Sequence, residues 1–427
     1  MIQLKEIIEN KDKVINGLKK RGFKKLNILD EIINTDKSRR NTQKKLDDIL
    51  FKSNNLSSEI SELYKKGKDK EASVLKNKSA TLKKQSKDLN EKLRKIKSDL
   101  INLRCEVPNI PDEKVSEGKD ENDNILIDEF GETPKLSSFL THWELSKKYN
   151  IIDFETGNKI TGSGFPLYVG KGARLKRALI NFFLDRNIKA GYTECQVPLL
   201  INESSAFGTG QLPDKEGQMY HVTVENLFLI PTSEVPLTNM FRDKTLDENR
   251  IPIKLTAFTP CFRREAGSYG SKVRGLNRLH QFDKVEIVRL EKPEDSEASL
   301  YKMIDHIKNI LIELELPSRI IRLCGKDLGF TSSITYDFEL FSPAQKKWLE
   351  ISSVSNFKTF QTERLNLKFK NKNGEKIYLH SLNGSSLALP RVIASLLENF
   401  QTNEGIKIPE SLVPYTGFNI INWLKIN

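Results

Sequence analysis

The sequence predicts an α+β fold in which helices flank a largely antiparallel sheet and an antiparallel two-helix coiled coil precedes it. Two observations lead to this prediction. The first 100 residues contain no proline and carry a narrow apolar stripe. Beyond residue 110, short strand-like runs lie between helical patterns without a regular strand-helix-strand alternation. That arrangement favours an antiparallel sheet with segregated helices over a doubly wound parallel sheet.

The apolar stripe has the spacing of a coiled coil, because its members recur at alternating steps of three and four residues. They are Leu46, Ile49, Ser53, Leu56, Ile60 and Leu63, and then Leu75, Ser79, Leu82, Ser86, Leu89, Leu93, Ile96, Leu100 and Leu103. The polar segment KKGKDKEA, residues 65–72, separates the two series and lets the chain reverse. We therefore predict a helical hairpin over about residues 37–104, with helices of about 30 residues that extend about 45 Å.

The net positive charge of the chain comes from this region. Residues 1–100 hold 27 Lys and Arg against 15 Asp and Glu, and the rest of the chain holds 42 of each. A basic appendage on a neutral body predicts contact with a polyanion, in the first place nucleic acid and in the second an anionic membrane. The alternative is a lysine-rich, solvated helix face that has no partner.

Composition argues against several other classes of protein. No run of about 18 apolar residues exists, and acidic residues interrupt the N-terminus where a signal peptide is apolar, so we expect a cytoplasmic protein without a membrane partner. The cysteines are far apart and form no C-x-x-C pair: Cys105, Cys195, Cys261 and Cys324. Reduced core thiols are therefore the expectation, and neither a zinc site nor a disulfide framework is expected.

A polar segment with two prolines, residues 105–124, marks a boundary near residue 110. It predicts a helical arm over residues 1–110 and a second domain over residues 111–427. Within the second domain, helical patterns cover residues 173–192, 294–315 and 387–400. Strand-like runs cover residues 226–234, 253–265, 278–290, 334–342, 347–356 and 376–383.

Two of these strands carry unusual charge at their ends, on either side of the loop AGSYGSKVRGLN, residues 266–277. Because side chains alternate across a strand, Leu279, Val285 and Ile287 predict a core face for the second strand. Its other face carries Arg278, His280, Phe282, Lys284 and Glu286. Arginine forks match phosphate geometry and an aromatic ring can stack a base, so the pair of strands predicts a nucleotide-binding cleft.

A ladder of cross-strand Arg–Glu pairs on a solvated face is the alternative interpretation of these strands. The sequence contains neither a G-x-x-x-x-G-K-[ST] motif nor a G-x-G-x-x-G turn after a strand. A bound nucleotide would therefore be held by arginine and metal rather than by a phosphate-cradling loop.

The same segments resemble the class II aminoacyl-tRNA synthetases, and specifically the seryl-tRNA synthetase family. Residues 261–286, CFRREAGSYGSKVRGLNRLHQFDKVE, resemble the second motif of that family, and residues 382–401, LNGSSLALPRVIASLLENFQ, resemble the third. Residues 173–201 are similar to the first motif. Further matches are TGQLP (209–213), TSE (232–234), EISSVSN (350–356) and IPESLVPYTGF (408–418). The resemblance spans the whole chain, including the basic hairpin.

The resemblance implies that the chain activates L-serine with ATP to seryl-adenylate and pyrophosphate, and then transfers serine to the 3′ end of tRNA(Ser), with tRNA(Sec) as a further substrate. It also implies a class II antiparallel sheet flanked by helices, a homodimer built on the first motif, and Mg²⁺ bound with ATP. The implied catalytic residues are Arg263, Glu350 and Arg391, with Arg263 neutralising the serine carboxylate and the α-phosphate.

The implied binding residues form three sets. ATP would be bound by Arg263, Arg264, Glu265, Arg278, Leu279, His280, Gln281, Phe282, Glu350, Ile351, Ser352, Ser353 and Arg391. L-Serine would be bound by Thr232, Ser233, Glu234, Arg263, Glu286, Asn383 and Ser385. Mg²⁺ would be held by Glu350 and Ser353.

Simpler interpretations stay open for some of these residues. Thr232 and Glu234 could end a strand before Pro236, Glu350 and Ser353 could be ordinary polar residues at a strand end, and Arg391 could be a solvated residue near a helix start. Two departures from the family pattern are also present. Pro390 stands where the family usually has glycine, and Gly164 stands where many members carry arginine. Because proline is tolerated in the first turn of a helix, we expect an altered backbone and retained function.

Overall fold

A computed structural model of the chain describes residues 1–136, 138–266 and 274–422. The chain divides into two compact units, one of residues 1–19 and 23–108 and the other of residues 20–22 and 109–427. The chain begins with helices α1 (Leu4–Glu9), α2 (Lys11–Lys20), α3 (Ile28–Lys65) and α4 (Asp69–Glu106). None of the helices in the described ranges is long and apolar enough to cross a membrane.

Helices α3 and α4 pack against each other along the predicted stripe, which confirms the coiled-coil hairpin. Its members Leu46, Leu93 and Leu100 are buried, whereas the residues between them are mostly exposed. Each helix has 38 residues, so the hairpin extends about 57 Å, which is longer than predicted. The difference arises because α3 begins at Ile28, where Leu29 and Ile32 are fully buried and α1 packs against the helix.

The larger unit is built on an eight-stranded sheet within the described residues. Its order is β1 (Ile125–Phe130), β11 (Ser318–Arg322), β12 (Ile334–Ser342), β13 (Lys347–Lys358), β16 (His380–Ala388), β10 (Gln281–Glu291), β9 (Ile253–Phe262) and β4 (Thr193–Glu194). Neighbouring strands are antiparallel except β4 and β9, which are parallel. The predicted α+β fold with a largely antiparallel sheet is confirmed.

Smaller elements complete this unit. Two short sheets of the described residues have two strands each: β2 (Ile152–Asp153) with β3 (Leu167–Tyr168), and β17 (Ile406–Lys407) with β18 (Ile420–Ile421). In a third sheet, β7 (Leu227–Leu229) lies between β5 (Leu200–Asn202) and β6 (His221–Val222). In a fourth, β14 (Lys368–Lys370) lies between β15 (Lys376–Tyr378) and β8 (Thr245–Asp247). The helices are α5 (His142–Tyr149), α6 (Phe154–Ile160), α7 (Gly170–Lys189), α8 (Glu203–Thr209), α9 (Glu234–Asn239), α10 (Ser296–Glu313), α11 (Phe360–Arg364), α12 (Leu389–Asn399) and α13 (Val413–Thr416).

The apolar core lies on one face of the main sheet, under helices α7, α10 and α12. The odd positions of β10, Val285 and Ile287, are fully buried there with Phe182, Met303 and Ile393 from the three helices. The alternation predicted from the sequence is therefore correct. It leaves the even positions of β10 on the opposite face of the sheet, where the candidate site lies.

Four predicted strands differ clearly from the observed ones. The run 253–265 ends as a strand at Phe262, and the run 278–290 begins as one at Gln281. The run 226–234 is a strand only to Leu229, and Glu234 begins α9, so Thr232 and Glu234 do not end a strand. The run 376–383 is divided between β15 and β16 at Leu379. In the predicted loop 266–277, residues 267–273 lie outside the described residues. The short element β7 ends early because Pro231 cannot donate a ladder hydrogen bond.

Two leucines of the larger unit provide a matched test of this core. Leu340 of β12 is fully buried in the core, whereas Leu126 of the edge strand β1 is 55% exposed. We expect Leu340→Ala to lower the free energy of unfolding by about 2–5 kcal/mol, because the change leaves a cavity. Leu126→Ala should lower it by less than about 0.5 kcal/mol. Urea unfolding followed by tryptophan fluorescence measures both, and equal effects would contradict the placement of the core.

Candidate active site

A cavity of about 480 Å³ opens on the face of the sheet opposite the core helices. It lies over strands β9, β10, β13 and β16, and the start of α12 and the segment before α9 complete its wall. Fourteen of the predicted site residues line it: Thr232, Glu234, Arg263, Glu265, Arg278, Leu279, Phe282, Glu350, Ile351, Ser352, Ser353, Asn383, Ser385 and Arg391. Residues from distant parts of the sequence therefore share one cavity.

Arg263 lies directly after β9 and faces the aromatic ring predicted to stack a base. Its guanidinium carbon is 5.2 Å from the centroid of the Phe282 ring, and its Nε donates to the carbonyl of Pro231 at 3.4 Å. Both partners are uncharged. The arginine is thus held in place while its charge is left for an anionic ligand.

Arg278 and Glu265 form an ion pair at the mouth of the cavity, with 3.0 Å between Nη1 and Oε2. Glu265 has a φ of +48°, an uncommon conformation for a residue with a side chain. Such backbone conformations are found at sites where the surrounding structure fixes a side chain. Here the carboxylate of Glu265 is directed at Arg278, which follows the loop 266–277 in the sequence.

Arg391 enters the cavity from the first turn of α12. Its Nε donates to the carbonyl of Asn277 at 3.1 Å and its Nη1 to the carbonyl of Glu350 at 2.5 Å, while the Glu350 carboxylate lies 3.6 Å from Nη1. Arg391 is therefore not a free solvated residue. Pro390 fits this turn because the first amides of a helix have no partner within the helix, so α12 begins at Leu389 without disruption.

Glu286 lies beneath the floor of the cavity and is fully buried. Its two oxygens accept hydrogen bonds from Thr232 Oγ1, Ser233 Oγ, the backbone N–H of Glu234, Lys284 Nζ and Asn383 Nδ2. Burial raises the pKa of this carboxyl, but the Lys284 charge and the donated hydrogen bonds outweigh burial and hold the pKa below its usual value. Glu286 is therefore an ionised carboxylate whose charge is compensated by Lys284.

Glu234 differs from Glu286 because no described residue forms an ion pair with it. It is 8% exposed, and its Oε1 accepts a hydrogen bond from Gln361 Nε2 at 2.5 Å. Burial, and then the nearby charge of Glu286, raise the pKa of Glu234 to about 7. This carboxyl is the group in the cavity that gains most from a bound cation, such as the ammonium of an amino acid.

The predicted metal ligands lie together at the β13 side of the cavity. Ser353 Oγ donates to Glu350 Oε1 at 3.2 Å. Behind them, Asp337 Oδ1 is buried without a hydrogen-bond partner among the described residues, and burial together with the Glu350 charge raises the pKa of Asp337 well above its usual value. No cluster of three or more His, Cys, Asp or Glu that could hold a metal occurs in the described ranges. The oxygen donors fit Mg²⁺, which is commonly held by one or two protein oxygens plus phosphates.

Five predicted site residues do not line the cavity: Arg264, His280, Gln281, Ser233 and Glu286. Ser233 and Glu286 lie beneath its floor and are bonded to each other. Arg264 and Gln281 are exposed. Alternation accounts for Gln281, which is the neighbour of the cavity-facing Phe282 on β10.

His280 is held outside the cavity by its own neighbours. Its ring stacks on Phe165, and its Nδ1 lies 2.8 Å from the hydroxyl oxygen of Tyr220. Gly164, with a φ of +85°, passes so close that an added Cβ would lie 2.5 Å from the His280 ring. An arginine at position 164 would therefore displace this stack, which explains why glycine stands here.

Several residues of the site were not predicted. Strand alternation places Lys284 on the charged face of β10 with Phe282 and Glu286, but the family resemblance assigns it no role at the site. Gln361, Asn277 and Asp337 carry no sequence signal, because their positions depend on how separate strands and helices meet. Further unpredicted lining residues are Gln211, Glu216, Gln218, Pro231, Leu276, Ala388 and Pro390.

Comparisons with known proteins agree with this geometry. A family model described as the tRNA synthetase class II core domain (G, H, P, S and T) matches residues 220–400, and one described as the seryl-tRNA synthetase N-terminal domain matches residues 1–111. The serine–tRNA ligase of Salinibacter ruber is 44% identical over 421 residues, which are 98% of each chain. The seryl-tRNA synthetase of Pyrococcus horikoshii, solved in complex with ATP, matches with a TM-score of 0.89 and 33% identity over 100% of both chains. The serine–tRNA ligase of Naegleria fowleri, solved with AMP, has a TM-score of 0.85 and 26% identity over 99% of both chains. The chain therefore belongs to the seryl-tRNA synthetase family.

Proposed function

We propose that this chain, an ATP-dependent serine–tRNA ligase by its family, carries out both steps of the reaction in the cavity on the sheet. The observation that carries the proposal is that one cavity combines three arginines, among them Arg263 with its uncharged partners, with the buried carboxyl of Glu234. An ATP molecule and a small zwitterion require these two kinds of group side by side. We propose that the predicted site residues that line the cavity bind ATP, L-serine or Mg²⁺ as the family resemblance implies.

The cationic end of the cavity suits the nucleotide. Phe282 offers a ring face for adenine, and Glu265 offers an acceptor for its exocyclic amine. Arg278 and Arg391 are placed to bind the outer phosphates. Arg263, whose partners are neutral, is proposed to hold the serine carboxylate against the α-phosphate and to neutralise charge in the transition state.

The anionic end suits the amino acid. Glu234 would bind the ammonium of serine, and Thr232, Asn383 and Ser385 offer polar atoms for its hydroxyl. Glu286 lies beneath and fixes Thr232 and the backbone of Glu234 through hydrogen bonds. The serine carboxylate would then attack the α-phosphorus, forming the acyl–phosphate bond and releasing pyrophosphate.

Glu350 and Ser353 are the residues proposed to hold Mg²⁺ together with phosphate oxygens. The ion would contribute neutralisation of phosphate charge. Arg263 and Arg391 are proposed to neutralise the remaining charge of the phosphates. In the second step, a ribose hydroxyl at the tRNA 3′ end attacks the acyl carbon, an ester forms and AMP leaves.

The hairpin is proposed to bind tRNA. Residues 1–110 would form the tRNA-binding arm and residues 111–427 the catalytic domain, because the excess of lysine and arginine is confined to the arm and polyanions bind such surfaces. The proposed substrate is tRNA(Ser), with tRNA(Sec) as a further one on the family resemblance alone. A homodimer and a cytoplasmic location are proposed on the same ground.

Serine-dependent exchange of labelled pyrophosphate into ATP tests the proposed reaction. We expect exchange with wild-type protein and Mg²⁺, and a loss of about 10²- to 10³-fold on Arg263→Ala, because a group that stabilises transition-state charge is removed. Arg250→Ala changes an exposed arginine outside the cavity and should leave the rate unchanged. Absence of exchange above a no-serine control would exclude the proposed function.

The raised pKa of Glu234 predicts that serine binding weakens in acid. The ammonium of serine favours the ionised carboxylate, so affinity is present above the pKa of the empty site and is lost as pH falls through about 7. The KM for serine should rise about tenfold from about pH 8 to about pH 6. Exchange assays at saturating ATP measure this profile, and a flat serine KM would contradict the proposed role of Glu234.

The arm is expected to affect transfer to tRNA and to leave activation unchanged. Lys83, Lys84 and Lys87 are exposed on α4, and reversing all three to glutamate removes cations that a phosphate backbone would contact. We expect tRNA charging at low tRNA concentration to fall by at least about tenfold, with a shallower salt dependence. Pyrophosphate exchange should keep its wild-type rate. Parallel loss of both activities would argue against a separate tRNA-binding arm.

A further inference from the structure

Gln361 is a buried residue behind the proposed serine pocket, and the reaction described above assigns it no role. It lies in α11, is 1% exposed and does not line the cavity. Its Nε2 donates to Glu234 Oε1 at 2.5 Å and to the carbonyl of Thr209 at 3.2 Å. Its Oε1 accepts from Ser381 Oγ at 2.7 Å. Every hydrogen-bonding group of the amide therefore has a partner.

The surroundings fix which way the amide faces. The carbonyl of Thr209 can only accept a hydrogen bond, so the nitrogen of Gln361 must lie on its side. The same nitrogen then faces Glu234, and the amide oxygen faces Ser381. A flipped amide would place two acceptors together at both Thr209 and Glu234. Gln361 is thus a donor of defined direction toward the carboxyl.

Rigid elements hold this amide in position. Thr209 ends α8, Ser381 lies on β16, and α11 packs against α8, β13 and β16. The neighbours of Gln361 on α11 are also fixed: Phe360 is 1% exposed, and Thr362 Oγ1 donates to the carbonyl of Leu379 at 2.5 Å. The hydrogen bond to Glu234 is therefore supported by a packed framework rather than by a mobile loop.

The charges around Glu234 explain why a neutral donor is suitable. Among the described residues, the charges of Glu286 and Lys284 of β10 and of Arg263 after β9 act on it. Lys284 is in contact with Glu286. A lysine or arginine at position 361 would compensate the charge of Glu234 and compete with an incoming ammonium. An amide orients the carboxylate and leaves its charge available to the ligand.

We propose that Gln361 is a positioning residue for serine recognition, which holds the Glu234 carboxylate toward the ammonium of the substrate. The proposal rests on the proposed function, since it assigns Glu234 to serine. It also predicts that removing the donor weakens serine binding without affecting ATP binding. The turnover number should change little, because the interaction exists before and during the chemical step.

Gln361→Met tests the proposal because methionine has a similar volume and donates no hydrogen bond. We expect the KM for serine in pyrophosphate exchange to rise by about 10- to 100-fold, with the KM for ATP within about twofold of wild type. The acidic limb of the serine-KM profile should also move to higher pH, since the Gln361 hydrogen bond lowers the pKa of Glu234. A purely structural role would not shift that profile.

Gln401→Met is the matched control. Gln401 is another buried glutamine, and its amide forms hydrogen bonds with the backbone of Leu140 and Glu398. Gln401 does not line the cavity. It should leave the KM for serine unchanged. An equal rise in both variants, or an unchanged serine KM in Gln361→Met, would overturn the proposal.

Ser381→Ala decides the matter if Gln361→Met does not fold. It removes the donor that orients the Gln361 amide and keeps the amide itself, so a smaller rise of the serine KM with an unchanged ATP KM is expected. No rise would overturn the proposal. Wild-type protein that performs no serine-dependent exchange would instead refute the proposed function, which keeps the two failures distinct.

Discussion

The buried pair of Lys284 and Glu286 organises the site. Their side chains are 7% and 0% exposed, and Lys284 Nζ lies 2.9 Å from Glu286 Oε1. A lone charge at that depth would be strongly destabilising, and removing one partner of such a pair typically costs about 3–5 kcal/mol. Because the pair is complete, Glu286 can accept further hydrogen bonds from Thr232 and the backbone of Glu234. The segment before α9 is thereby attached to strand β10.

The arrangement along β10 follows from that attachment and from strand geometry. Phe282, Lys284 and Glu286 alternate onto one face, and a rise of about 3.4 Å per residue separates Phe282 from Glu286 by about 14 Å. The two ends of the cavity therefore differ in character. One end has an aromatic ring and arginines, two of which face Glu265 and Glu350, and the other has the buried carboxyls of Glu234 and Glu286. Antiparallel pairing places Ser385 of β16 opposite Glu286, which adds polar atoms at the carboxylate end.

Much of the fold and of the site could be predicted from the sequence, because these features depend on the spacing of apolar and polar residues along single helices and strands. The seam of the hairpin, the core face of β10 and the convergence of Arg263, Phe282 and Arg391 follow from spacing and from resemblance to known motifs. Ser233 and His280 show the limit of that reasoning. Each belongs to a matching motif, yet Ser233 is bonded to the buried Glu286 and His280 stacks on Phe165, so neither lines the cavity. No motif records these contacts.

Contacts between distant elements could not be predicted. Gln361 reaches Glu234 only because α8, α11 and β16 meet, and Asp337 reaches Ser353 only through the pairing of β12 with β13. Sequence patterns report the face on which a side chain lies and do not report the partner it meets there. The residues that orient site groups are therefore harder to find than the site groups themselves.

The charged residues of the site are of two kinds. Some are neutralised by a partner within the protein, and others have neutral partners and can bind a charged ligand. Glu286 forms an ion pair with Lys284, so its charge is neutralised within the protein. Arg263 is held by the Phe282 ring and a carbonyl, and Glu234 by an amide. Neutral dipoles can fix the direction of a charged group without cancelling its charge, and a buried charge held in this way gains most when an opposite charge binds. The cavity is therefore prepared for a ligand that carries both signs of charge.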